Sequence, residues 1–194
     1  MTGMASVASC ALHPPQTRRE IAKLLLELAQ RQAGAAHGIR NAGYRAIESL
    51  RLEKFYRAWS SDISPDHSPL EAGMAWAVKL KKNVPFLGRE ALSKLAAKKL
   101  PKLLACFTVD DPSIVLLGRE TIFRNGQQVG WLTSGGWGYT VGKWIGYGYV
   151  RNPDGVSTEY LTSGSYELEV ACERVPAKLH LQPLYDPRNE RVKS

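Results

Sequence analysis

The acidic residue with the most distinctive setting is Glu53, which ends the segment Leu50-Arg51-Leu52-Glu53 among apolar neighbours. A carboxylate held on a partly buried strand can accept parallel hydrogen bonds from an amidine-like edge, such as the 2-amino and N3 positions of a pterin. An ion pair of Glu53 with Arg51 or Lys54 explains the same pattern without any ligand. Both interpretations stay open on these residues alone.

Other reactive side chains are scattered along the chain. Cys10, Cys106 and Cys172 are far apart and include no Cys-x-x-Cys pair. The four histidines have no second ligand at metal-binding spacing. We therefore predict neither a disulfide framework nor a metal site. The same scattered cysteines predict a reducing compartment. No serine or cysteine lies beside the signature of an activating base, so we predict no catalytic residue in this chain.

The net charge of +8 is concentrated in one stretch. Between residues 79 and 102 a single acid, Glu90, accompanies eight basic residues: Lys79, Lys81, Lys82, Arg89, Lys94, Lys98, Lys99 and Lys102. Such a run is more typical of a solvated helix face than of a nucleic-acid site, so no nucleic-acid partner is expected. No apolar run of about 18 residues is present, so no membrane partner is expected either.

Two helices are predicted before residue 101. Apolar residues repeat at helical spacing over residues 18–33, where Thr17 and Glu20 have the spacing of a capping box and Gly34 can provide a left-handed stop. A second helix is expected to begin near Gly88 and to end before Pro101, with its lysines facing outward.

Beyond Pro101 the pattern changes to short strands. Asn125-Gly126 predicts a two-residue hairpin turn, which sets Arg124 opposite Gln127 and Ile122 opposite Val129. Residues 134–139 are interpreted as a turn between strands. The predicted strands are Leu103 to Val109, Trp131 to Thr133, Lys143 to Val150, Thr158 to Leu161, Tyr166 to Val170 and Ala177 to Leu181.

These elements indicate an α+β protein, in which a mixed helix and sheet segment is followed by a C-terminal antiparallel β-barrel. Alternation predicts that Ile145, Tyr147 and Tyr149 occupy one face of their strand and Trp144 the other. We predict a disordered leader or transit-like segment over 1–19, a first domain over 20–100 and the barrel domain over 101–194.

Three signatures at fixed distances are difficult to meet by chance: Leu-Arg-Leu-Glu-Lys at 50–54, Ser-Pro-Leu-Glu-Ala-Gly at 68–73 and Phe-Leu-Gly-Arg-Glu-Ala-Leu at 86–92. Further matches are His37 to Tyr44, Asp62-Ile63, Trp76, Arg124 to Gly126, Thr133 to Gly135, Gly148 to Val150 and Pro183 to Pro187. Together they resemble the folate-binding, aminomethyltransferase-like region of sarcosine and dimethylglycine dehydrogenases, which is related to the glycine-cleavage T-protein.

The resemblance implies tetrahydrofolate as the ligand that captures a one-carbon unit. It gives Glu53 the role of anchoring the pterin and Lys82 that of meeting the folate's glutamate tail, with Arg51 beside Glu53 in the site. FAD serves the full-length dehydrogenases, but no Gly-x-Gly-x-x-Gly segment is present in this chain. The family's essential aspartate lies in an N-terminal part of the module that has no counterpart here.

The expected protein is thus a fragment of a sarcosine dehydrogenase-like protein that does not oxidise sarcosine alone. The family implies the mitochondrial matrix, with the cytoplasm as the other location. An exposed truncation surface is expected to favour self-association or a partner domain.

Phe55 departs from the dehydrogenases, which usually have glycine after Leu-Arg-Leu-Glu-Lys. An aromatic residue there resembles the regulatory subunit of pyruvate dehydrogenase phosphatase. The alternative is therefore a non-catalytic regulatory or binding module on the same fold.

Overall fold

The computed structural model describes residues 15–82 and 84–193. Contacts divide the chain into two compact units, Met1–Gly43 and Tyr44–Ser194. Most of the predicted leader, residues 1–14, lies outside the described residues. The domain boundaries at residues 19 and 100 stay predictions.

The first unit contains helix α1, Pro15–Gly34, and a 3₁₀ turn, Ala35–His37. The predicted capping at Thr17 is wrong, because the helix begins two residues earlier at Pro15, where proline's missing N–H leaves no bond unmade. Gly34 is not the left-handed stop either, since its φ is −80°. Gly38, at φ 72°, takes that role after the 3₁₀ turn.

The second unit opens with helix α2, Tyr44–Glu53, so the predicted strand at Glu53 is wrong. A 3₁₀ turn, Ala75–Ala77, and helix α3, Arg89–Ala96, follow. A strand would place Leu50 and Leu52 on one face, whereas a helix separates them by about 200°. Leu52 is 1% exposed and Leu50 is 62% exposed, as a helix requires. Lys94, Lys98 and Lys99 are exposed, as predicted for α3 and its end.

Six strands form a closed antiparallel barrel in the order β1-β4-β3-β2-β5-β6. They are β1 Lys102–Val109, β2 Thr121–Arg124, β3 Gln127–Gly138, β4 Lys143–Arg151, β5 Tyr166–Val170 and β6 Glu173–His180. Two short helices, α4 Thr158–Thr162 and α5 Glu190–Lys193, complete the chain. The predicted α+β class with a C-terminal barrel is confirmed.

Several local predictions need correction. Ser157 accepts a hydrogen bond from Tyr160 N and caps α4, so the strand predicted over Thr158–Leu161 is a helix. Residues 134–138 belong to β3, and the turn that was predicted there begins only at Tyr139.

The Asn125-Gly126 hairpin forms as predicted, with Arg124 opposite Gln127. The second predicted pair is wrong, because Ile122 lies opposite Gly130 and not Val129. The register shifts between Ile122 and Phe123, so β3 contains one extra residue there.

Buried side chains form two clusters, one on each face of the barrel wall. The inner cluster includes Phe107, Ile122, Leu132 and Leu168, and Trp144 packs against it. The outer cluster contains Leu52, Phe55, Leu104, Cys106, Ile145, Tyr147 and Tyr149. The predicted separation of the β4 aromatics onto two faces is confirmed, and the outer face receives α2.

The segment 68–73 supports the barrel through a turn. Glu71 accepts hydrogen bonds from the backbone N and the hydroxyl of Ser68, at 2.9 and 2.8 Å. Its carbonyl accepts the N–H of Leu104 at 2.9 Å. The turn is thereby attached to β1, whose register with β6 covers only Cys106 to Thr108.

Candidate functional site

Glu53 is the last residue of α2, and backbone geometry explains why the helix ends there. Phe55 has φ 56°, the left-handed conformation typical of a helix C-terminus. Tyr56 N donates to Arg51 O and Phe55 N to Leu52 O, which is the Schellman pattern. The final turn of α2 is therefore closed, and the direction of the Glu53 side chain is fixed.

The Glu53 side chain is buried, with 2% of the residue exposed, and reaches the turn between β3 and β4. Its Oε1 accepts hydrogen bonds from the backbone N–H of Thr140 at 2.6 Å and of Val141 at 3.0 Å. A Cβ on Gly138 would lie 3.1 Å from Oε1, so the glycine leaves room for the carboxylate. Within the described residues no hydrogen bond reaches Oε2, which leaves that oxygen for an external donor.

Arg51 and Lys54, the two bases considered as ion-pair partners of Glu53, pair with other acids instead. Arg51 pairs with Glu48 at 2.6 Å and with the buried Asp62 at 2.9 Å. The hydrogen bond from Arg51 holds the pKa of Glu48 below its ordinary value. Among the described residues, Glu53 takes part in no salt bridge. Arg51 thus supports the helix end and does not neutralise Glu53.

Lys54 connects the same helix end to the segment after β6. Its Nζ donates to Asp186 O at 2.8 Å and to Asn189 Oδ1 at 2.7 Å. Tyr185 N donates to Glu53 O at 3.0 Å. The turn that carries Glu53 is therefore held between the barrel and residues 185–189.

Lys82 lies elsewhere on the surface. It is exposed and lines a cavity of about 470 Å³ together with Lys79, Phe86 and Leu92. Neither Glu53 nor Arg51 lines that cavity. The structure brings Glu53 and Arg51 together at the end of α2 and leaves Lys82 apart from them.

A second cavity, of about 270 Å³, runs along α2. Leu52, Trp137, Tyr139 and Trp144 line it, with Arg45 among the charged residues. Leu52 and Tyr139 are the chain neighbours of Glu53 and Thr140. A flat ring entering this cavity would therefore lie beside the turn that binds the Glu53 carboxylate.

Two family models match the chain. The glycine cleavage T-protein C-terminal barrel domain matches residues 102–186, and the GCVT N-terminal domain matches residues 16–82. The chain belongs to the glycine-cleavage T-protein family. The match to the barrel domain coincides with the six strands that pack against α2.

Within this family the chain is sarcosine dehydrogenase-like. It is 51% identical over 163 residues to mitochondrial sarcosine dehydrogenase of Mus musculus, covering 83% of this chain and 18% of that protein. The mitochondrial pyruvate dehydrogenase phosphatase regulatory subunit of Mus musculus is 38% identical over 162 residues, covering 78% of this chain and 18% of that protein. The chain therefore spans about a fifth of the length of these relatives.

A solved structure supports the fold. The glycine cleavage system aminomethyltransferase T from Bartonella henselae superposes with a TM-score of 0.69 at 24% identity. The match covers 83% of this chain and 44% of that protein.

The segment between α2 and the barrel contains a buried carboxylate whose role the sequence did not reveal. Asp62 is fully buried and accepts hydrogen bonds from Arg51, Ala58, Thr133 and Ser134. The family signatures include both Asp62-Ile63 and Thr133-Ser134. That co-occurrence was the available signal, but the contact between them joins residues more than 70 positions apart.

The described residues contain neither a membrane-spanning helix nor a metal site beside Glu53. Across residues 15–82 and 84–193, no helix is long and apolar enough to cross a membrane. No group of three His, Cys, Asp or Glu side chains in that part of the chain is arranged to hold a metal ion. Burial raises the pKa of the Cys106 thiol, which keeps it protonated and unreactive.

Proposed function

We propose that this chain forms part of a tetrahydrofolate site in a sarcosine dehydrogenase-like, aminomethyltransferase-like module, where folate accepts a one-carbon unit from an N-methylglycine donor. The observation that carries the proposal is the Glu53 carboxylate. Two backbone N–H groups fix Oε1, and Oε2 has no donor among the described residues. A pterin supplies N–H donors of the kind that this oxygen accepts.

In the proposal, the basic cavity at Lys82 takes the other end of the ligand. Lys79 and Lys82 stand beside apolar walls formed by Val84, Phe86 and Leu92. A folate tail combines an aromatic ring with carboxylates, so both types of wall have a partner. In the proposal Glu53 anchors the pterin, Arg51 holds the helix end beneath it and Lys82 attracts the tail.

The proposal is limited to folate binding and leaves FAD and sarcosine oxidation to other parts of the longer relatives. The mitochondrial location of those relatives supports the mitochondrial matrix as the proposed location of this protein. The outer face of α2 exposes Tyr44, Ile47 and Leu50, at 72%, 58% and 62%. In the proposal this stripe is the surface for self-association or for a partner domain.

Calorimetry with tetrahydrofolate under anaerobic conditions tests the proposal. The Glu53→Gln variant can still accept both backbone N–H groups through its carbonyl oxygen, but it presents an amide N–H₂ to the ligand donors. We expect binding to weaken by about 10- to 100-fold, the effect of losing one hydrogen bond to a charged group. Glu71→Gln, which alters another buried carboxylate, should leave the affinity unchanged.

A matched pair of variants tests the proposed contact between Lys82 and the glutamate tail of folate. Lys82→Met should reduce the preference for tetrahydrofolate with three glutamates over the form with one, whereas Lys81→Met should not. Equal effects of the two substitutions would reduce the role of Lys82 to general surface charge.

The alternative function is a non-catalytic regulatory module. It is favoured by Phe55 and by the 38% identity to the phosphatase regulatory subunit. If wild-type protein does not bind tetrahydrofolate but binds a pyruvate dehydrogenase phosphatase, the folate proposal is wrong and the regulatory module is supported.

A further inference from the structure

We propose that Asp62 is a positioning residue for Glu53: it fixes the last turn of α2 against β3 and thereby sets the direction of the Glu53 carboxylate. As a statement about ligand binding, this inference rests on the proposed function of Glu53. As a statement about the geometry of Glu53, it can be tested without any ligand.

Every acceptor position of the Asp62 carboxylate is used. Oδ2 accepts from Arg51 Nη1 at 2.9 Å and from Ala58 N at 2.9 Å. Oδ1 accepts from Thr133 Oγ1 at 2.6 Å and from Ser134 Oγ at 2.7 Å. A carboxylate has about four such positions, so this fully buried group is completely satisfied and cannot rotate without losing bonds.

An irregularity in β3 makes this arrangement possible. Successive side chains of a regular strand point to opposite faces of the sheet. Thr133 and Ser134 are successive, yet both hydroxyls reach the same oxygen of Asp62. The register of β3 with β4 shifts between Leu132 and Ser134, which is the signature of a bulge that redirects a side chain.

Asp62 is connected to the turn that carries Glu53 by several short contacts. Arg51, two residues before Glu53, donates Nη1 to Asp62 and Nη2 to Ser134 Oγ at 2.9 Å. The hydroxyl of Tyr149 donates to Asp62 O at 2.9 Å. Tyr147 adds a contact from β4, since its single hydroxyl proton is shared between Leu52 O at 2.5 Å and Arg51 O at 3.0 Å.

The last turn of α2 is thus attached to β3 at two places. One is the bulge, through Arg51 and Asp62, and the other is the turn after the strand, through Glu53, Thr140 and Val141. Because a helical turn moves as a unit, releasing the first attachment loosens the second. We therefore expect that removing the Thr133 hydroxyl changes the amide exchange rates of Thr140 and Val141, which lie seven and eight residues further along the chain.

The experiment compares amide hydrogen exchange in the ¹⁵N-labelled full chain. Thr133→Val removes one donor to Asp62 at constant shape, and Asp62→Asn removes the charge. We expect the Thr140 and Val141 amides to exchange about tenfold faster in both variants, relative to the amides of β5. Thr133→Ser restores the hydroxyl and should return exchange to the wild-type rate.

The control is Thr108→Val, because Thr108 is another strand threonine whose hydroxyl is hydrogen-bonded, in its case to His180. Thr108→Val should leave the exchange rates of the Thr140 and Val141 amides unchanged. If Asp62→Asn does not fold, Thr133→Val decides. Unchanged exchange at Thr140 and Val141 in folded Thr133→Val overturns the inference.

Tetrahydrofolate affinity separates this inference from the proposed function. If the wild-type protein binds and Thr133→Val binds about fivefold more weakly, the positioning role extends to the ligand. If the wild-type protein does not bind but the two amides loosen as expected, the folate proposal fails and the positioning of Glu53 stands.

Discussion

At the scale of single residues, Phe55 combines an unfavourable backbone with a favourable side chain. Its φ of 56° lies in the left-handed region, which costs a residue with a Cβ about 1–2 kcal/mol. Phe55 is 4% exposed, its ring centroid lies 4.9 Å from that of Tyr147 in an edge-to-face arrangement, and Arg57 Cζ lies 4.1 Å above the Phe55 centroid. Burying an aromatic ring is worth more than the backbone penalty, so phenylalanine is tolerated at a position suited to glycine.

Substitutions at residue 55 should therefore show an inverted order of stability. Phe55→Gly and Phe55→Ala both lose the ring, at a cost of about 3–5 kcal/mol in the free energy of unfolding. The glycine variant should be the more stable by about 1 kcal/mol, since only glycine adopts this φ freely. Urea denaturation measures both. The control is Leu95, within α3, where the alanine variant should be more stable than the glycine variant by about 1 kcal/mol in the free energy of unfolding. An alanine variant more stable than the glycine variant at residue 55 would contradict the prediction.

At the scale of elements, close approach between strands sets the shape of the barrel wall. A Cβ at Gly148 of β4 would lie 2.6 Å from Trp131 O and 3.1 Å from Leu132 Cα, both backbone atoms. A Cβ at Gly136 of β3 would meet only the Cδ1 of Leu52, at 2.8 Å. A side-chain tip can rotate away, whereas a paired backbone cannot.

Gly148→Ala is expected to destabilise the protein strongly, by about 2–3 kcal/mol, near the upper part of the range for overpacking. Gly136→Ala should cost less, about 1 kcal/mol, because Leu52 can change rotamer. The free energies of unfolding of the two variants test this difference. Equal losses would show that β4 moves away from β3 as easily as Leu52 moves.

The same elements show what sequence patterns can and cannot predict. Alternation along β4 and the Asn125-Gly126 turn predicted the barrel strands, because both signals are local. The strand predicted at Glu53 was wrong, because its apolar neighbours Leu50 and Leu52 lie on different sides of helix α2. The carboxylate of Glu53 was identified, but its partners Thr140 and Val141 are 87 and 88 positions away, and no local pattern encodes such a contact.

At the scale of the whole molecule, His180 on β6 makes the stability of the fold depend on pH. His180 is half-buried, and Thr108 is its hydrogen-bond partner at 2.9 Å. Burial lowers its pKa, Lys143 and Lys178 lower it further, and Asp110 opposes them. The folded protein therefore favours neutral His180 more than the unfolded chain does.

Stability should consequently fall as the pH drops below the ordinary histidine pKa of about 6.5. His67 adds to the effect, since burial and Lys102 lower its pKa too. The contribution is fully present above pH 6.5 and is lost as the pH falls through the folded-state values. Urea midpoints at pH 7.5 and 5.5 measure the loss, and His180→Gln should reduce it. A loss of the same size in His67→Gln/His180→Gln would contradict the prediction.

The contacts of Lys54 also have a consequence for the time at which the protein can become functional during its synthesis. Lys54 and its partner Asn189 are 135 positions apart, and ribosomes add about 5–20 residues per second. For roughly seven to thirty seconds after Lys54 is made, its partner Asn189 does not exist. The turn that carries Glu53 is therefore completed only after the entire barrel has been translated, so the Glu53 carboxylate is not held in its final position while the chain is being synthesised.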